Sequence, residues 1–85
     1  MDLDTLIHHY FGTDDPDTLS DDALARGQEA LAIDFGIAQE PGRRFALWAL
    51  MQMMGCAPDP DTAFEDADER RAAWRFARMT EPPRD

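Results

Sequence analysis

At 85 residues, with 18 acidic side chains against eight basic ones and a formal charge of −10, the chain is expected to form one domain close to the size at which an independent core becomes marginal. The acid excess argues against nucleic acid or an anionic membrane surface as a direct partner, because both require a positive footprint. A single cysteine, Cys56, cannot form an internal disulfide, the acidic start MDLDTLIHHY lacks the basic head of a signal peptide, and the longest apolar run, Phe45 to Met51, is far short of the roughly 18 to 20 residues of a membrane span, so a cytoplasmic protein is expected.

The first predicted helix covers 3–11. Leu3, Leu6, Ile7, Tyr10 and Phe11 share one face at helical spacing, while Asp4, Thr5, His8 and His9 fall outside it. Gly12 supplies a stop, and TDDPDT after it is turn chemistry, with Pro16 unable to continue a helix.

The second helix, 21–35, has the clearest start. Ser20 suits an N-cap, Asp21 and Asp22 put negative charge on the first turn, and Leu19 with Leu24 fit a hydrophobic staple. Leu24, Gly27, Gln28, Leu31 and Phe35 form the inner stripe. Gly36 followed by Ile37 predicts a Schellman ending in which Ile37 packs back on the helix. Ile33 points the other way, towards Asp22, Arg26 and Glu29, as a lone exposed residue or as one corner of a contact surface.

The third helix, 41–54, opens on Pro41 at its first position and ends before Gly55. Its apolar positions run all the way round, with Gln52 the only polar residue between Phe45 and Met54. A helix apolar on every side is normally central in a bundle. Ala46, Ala49 and Met53 make a slim side, and Leu47, Leu50, Met51 and Met54 a bulky one. Phe45, Trp48 and Gln52 form an edge expected to stay partly exposed.

CAPDPDTAF reads as a linker with a short helical turn after Pro60 that inserts Phe64 into the core. The fourth helix, 66–79, opens on Asp66 as N-cap with Glu69 three residues on, and its expected buried face is Phe76 with Ala72, Ala73, Ala77 and Met79. Pro82 and Pro83 end regular structure, so 81–85 is expected to be a flexible tail on a single helical domain of residues 1–80. The fold class is therefore all-α, a small bundle of four helices with the third central.

The chemistry-bearing residues form no catalytic constellation. His8 and His9 are adjacent and diverge by about 100° on a helix, and no set of ligands around them closes a zinc site. Met51, Met53, Met54 and Cys56 are soft donors that could suit Cu(I), yet Met51 and Met53 diverge and methionine more commonly fills core gaps or lends plasticity to a binding surface. DPDTAF from Asp59 and DPDTLS from Asp15 both miss the third ligand and the glycine of a calcium loop. No nucleophile-and-base motif is present, and no enzyme activity, cofactor or metal is expected.

Charge is segregated along the chain, at −7 over residues 1–22, 0 over 23–58, −6 over 59–69 and +3 over 70–85. Arg71, Arg75 and Arg78 share one side of the fourth helix with Trp74 at its edge. Either they pair with the acid-rich N-terminal third, each exposed pair contributing ~0 to 1 kcal/mol, or they dock an acidic partner with Trp74 as an aromatic anchor. The expectation is a small acidic module for protein–protein interaction, regulation or self-association, with Arg71, Trp74, Arg75, Arg78, Trp48 and Gln52 as partner-binding residues.

A second expectation comes from Ser20 opening a helix that ends in FGI. In size, acidity and helix number the chain resembles acyl carrier proteins over residues 20–37. The resemblance implies Ser20 as the attachment site of a phosphopantetheine arm. The family's serine stands in a D-S-L motif, whereas here Thr18 and Leu19 precede Ser20 and Asp21 follows it.

Overall fold

The computed structural model describes residues 2–80; the tail expected at 81–85 lies outside the described residues. The elements are α1 (Leu3–Phe11), a 3-10 turn (Pro16–Thr18), α2 (Asp21–Ile37), α3 (Pro41–Met53), α4 (Pro60–Ala63) and α5 (Ala67–Thr80). Among the described residues the helix count is five where four were expected, because the turn after Pro60 closes as a separate four-residue helix.

Local chemistry sets most boundaries. Ser20 Oγ accepts from Ala23 N at 3.2 Å and an Asp66 carboxylate oxygen accepts from Glu69 N at 3.0 Å, so each cap satisfies a backbone donor that the helix start leaves unpaired. Gly12 and Gly55 adopt φ of 70° and 78° and end α1 and α3. In that left-handed region a Cβ costs energy that glycine avoids.

The predicted Schellman ending at Gly36 does not form. Gly36 and Ile37 stay helical, Ala38 is the cap, and Ile37 is 72% exposed. The helix stops at Ala38, which is extended at φ −67° and ψ 134°; Pro41 acts only on the residue before it, where Glu40 is extended at φ −73° and ψ 124°.

Helix α3 packs against α1, α2 and α5. Leu47, Trp48 and Leu50 are fully buried, with Met51 at 3%. Its neighbours each contribute part of the wall, Leu6 and Phe11 from α1, Leu31 and Phe35 from α2, and Ala73 from α5. Phe64 does enter the core, at 1% exposure. Its ring lies 5.7 Å from Trp48, 5.9 Å from Phe45 and 6.1 Å from Phe35, so one linker residue joins aromatic groups of α2 and α3. Phe76 closes the cluster from α5, 6.1 Å from Trp48. Each such pair adds about 0.5 to 1.5 kcal/mol beyond its area burial.

The α1–α2 contact depends on Gly27. It is buried, and a Cβ there would overlap ring carbons of Phe11 and approach the Tyr10 carbonyl oxygen to 3.0 Å.

The inner face of α5 differs from the expected one. Ala73 is buried, and Phe76 and Ala77 are half-buried, but Ala72 is exposed and Met79 is 73% exposed. Ala72 and Met79 are seven residues apart and therefore share a side. That side faces away from the core.

Candidate functional site

The expected partner-binding residues separate into two groups. Trp48 is corrected: it is fully buried, and its indole Nε1 donates to the Pro58 carbonyl at 2.9 Å. A large ring surrounded by Phe45, Phe64 and Phe76 has no face left for a partner. Gln52, one turn further along α3, is half-buried.

Gln52 meets Trp74 and Arg78 in a wide groove of ≈ 500 Å³ between the end of α3, the linker and α5, with Met53, Met54 and Ala77 supplying apolar wall. Met53 is 51% exposed and Trp74 39%. Of the three methionines at the end of α3, only Met51 is buried. The Trp74 indole is held in place, since its Nε1 donates to Asp61 Oδ1 at 2.9 Å. Arg71 and Arg75 lie outside the groove on the solvent side of α5, where Arg71, Arg75 and Arg78 are all exposed.

The arginines do not pair with the N-terminal third. Among the described residues the ion pairs are His8 with Asp14 and Arg71 with Asp68, the latter at 3.7 Å between side chains 73% and 88% exposed. Arg75 and Arg78 have no carboxylate within ion-pair distance among the described residues. The acid-rich start of the chain caps its own turns instead: Asp2 accepts from Asp4 N and Asp15 from Asp17 N, each at 3.2 Å.

Two interactions were not anticipated. Arg44 lies with its guanidinium carbon 4.4 Å from the Phe35 ring centroid and 5.7 Å from that of Phe64, and donates to the Ala63 carbonyl at 2.8 Å. It stacks on core aromatics while tying α4 to α3. The Tyr10 hydroxyl donates to Asp34 Oδ2 at 2.6 Å, linking α1 to α2. Burial, followed by the hydrogen bond to Asp34 and its negative charge, pushes the phenol up to about 12, against an opposing pull from Arg43. Tyr10 and Asp34 stand 24 residues apart, a separation at which spacing carries no signal.

The remaining reactive groups sit in ordinary surroundings. Burial raises the Cys56 thiol, which lowers its thiolate fraction and its nucleophilicity. No group of three or more His, Cys, Asp or Glu side chains able to hold a metal ion occurs among the described residues. Ser20 is exposed, with its oxygen engaged as the α2 cap. Among the described residues no helix is long and apolar enough to cross a membrane.

The fold and this surface define an all-helical small bundle with a groove of mixed apolar and polar lining, in which Met53, Met54 and Trp74 stand beside Gln52, Asp59 and Arg78. No protein-family model, curated protein or solved structure matches the chain.

Proposed function

We propose that the protein is a small helical interaction or regulatory module that binds a protein partner through the groove between α3 and α5 and carries out no chemistry of its own. The observation that supports this reading is that the groove is lined by both Trp74, held by Asp61, and Arg78, which has no ion partner among the described residues. A positioned aromatic ring loses little entropy on binding, and tryptophan and arginine dominate the energetics of characterised interfaces. Met53 and Met54 add an adaptable apolar wall. The partner surface that fits is apolar with acidic side chains around it.

The test is affinity capture with the intact chain as bait, comparing wild type with the R71A/R75A/R78A variant and with Trp74→Ala. Both variants should retain helical circular dichroism and lose the captured protein. Retention of that protein at wild-type yield by both would remove the groove from consideration.

A further inference from the structure

We infer that the groove between α3 and α5 receives the α5 ridge of a second copy of this chain, the two copies exchanging ridge and groove about a two-fold axis beside Trp74. The inference rests on the groove reading above and names its partner.

A chain of charge −10 repels its own copies, so close contact is favoured where cations of one copy face acids of the other. Residues 1–22 carry −7 with no basic side chain, which disfavours the N-terminal surface. The groove and its border carry both signs. Trp74 and Arg78 of α5 stand on one wall, and Asp59 with Met53 and Met54 from the end of α3 on the other. Asp61 adds a second carboxylate where α4 meets Trp74.

The wall opposite α5 is electronegative. Asp59 and Asp61 are exposed and belong to no ion pair among the described residues. Asp59 Oδ1 accepts from Asp61 N and Asp61 Oδ1 from Trp74 Nε1, each at 2.9 Å, so the second oxygen of each carboxylate is left to take a cation. Helix α3 ends at the same wall with no basic residue in its last turn, so no cation of its own answers the negative end of its dipole.

The complementary ridge lies just over the α5 rim. Arg71, Arg75 and Arg78 fall within roughly 60° of one another around the helix and are exposed. Arg75 and Arg78 have no carboxylate within ion-pair distance among the described residues. Trp74, 39% exposed, stands between ridge and groove. The surface that suits these arginines, apolar with acidic side chains around it, is therefore present on the chain itself. A second copy turned over about an axis at Trp74 lays its arginines against Asp59 and Asp61 and receives the first copy's arginines in return, with Trp74 and Met53 of each copy at the centre. Such a contact uses one patch twice and closes.

A reciprocated helix contact is a small interface, of the size seen in weak complexes, so sedimentation equilibrium from about 10 µM to about 1 mM covers its range. Wild type should move from 9.6 kDa towards twice that mass. R75Q/R78Q should stay monomeric with unchanged circular dichroism. D59N/D61N is the telling variant, because asparagine keeps the Oδ1 acceptor at both positions while two of the 18 acidic side chains are removed. Reduced self-repulsion alone would strengthen a dimer, whereas loss of the ridge-to-groove pairing should weaken it about ten-fold or more. The inference is overturned if wild type is monomeric at about 1 mM, if D59N/D61N dimerises as tightly as wild type or more so, or if R75Q/R78Q leaves the dimer intact. A monomeric wild type that still captures a different protein, lost in Trp74→Ala, overturns the second copy as partner and keeps the groove as a docking site. A dimer unchanged in all three variants, with no other protein captured, overturns both.

Discussion

The Trp48 indole nitrogen donates to the carbonyl of Pro58 at 2.9 Å, so the side chain at the centre of α3 also fastens the linker that leaves it. The bond holds the linker where Phe64, six residues later, reaches the Trp48 ring at 5.7 Å. Packing and backbone satisfaction depend on the same residue.

Trp48→Phe should therefore destabilise by about 2 to 4 kcal/mol, combining an unpaired carbonyl with the smaller ring's cavity. Urea unfolding followed by circular dichroism measures it. A loss under about 0.5 kcal/mol, the scale of an ordinary surface change, would show that the indole hydrogen bond is dispensable.

Gly27→Ala would normally stabilise a helix by about 1 kcal/mol. Here the new methyl enters the Phe11 ring, which is only 8% exposed and has little room to move. Overpacking should outweigh propensity, for a net loss of about 1 to 2 kcal/mol. At Gly36, where nothing stands within 4 Å, the same substitution should be stabilising, so thermal melts of the two variants should shift in opposite directions.

Arg44→Ala removes both the stacking on Phe35 and the bond to the Ala63 carbonyl. The expected cost is about 2 to 3 kcal/mol. Arg44→Lys should recover only part of it, because an ammonium cannot stack and donate as a planar guanidinium does. Faster amide exchange confined to Pro60–Phe64 would localise the effect to the α4 tie.

Tyr10 is the only tyrosine, so its titration can be followed by tyrosinate absorbance. Its pKa is raised from 10.0 to about 12 in the folded chain, so the folded state binds the proton more tightly than the unfolded one. The resulting stability is complete below about pH 10 and is lost as pH rises through about 12. Tyr10→Phe should lower stability at neutral pH by about 0.5 to 1.5 kcal/mol and flatten its alkaline slope between those values. A wild-type slope retained in the variant would assign the effect to another group.

The sequence by itself determined where helices begin and which chain segments hold the core. Ser20, Asp66, Pro41, Gly12 and Gly55 act within three or four residues of themselves, and the apolar periodicity of α1, α2 and α3 needs no knowledge of the partner helix. Their effects follow from local backbone geometry, which is why they are visible in a linear pattern. Gly36 shows the limit: its local stop signal is passed over, and the helix continues through Ile37 before Ala38 turns extended.

Only the tertiary structure decided which apolar side chains stay in water and which polar ones are used internally. Trp48 and Trp74 look alike in sequence, yet one is buried beneath Phe64 and Phe76 and the other is held at the surface by Asp61. Arg44 is bound to the core while Arg75 and Arg78 find no carboxylate among the described residues. Ile33 and Ile37 stay exposed because α1 and α3 pack on the other side of α2. Such assignments depend on how helices distant in the chain are set against each other, a long-range packing outcome that periodicity within one helix does not encode.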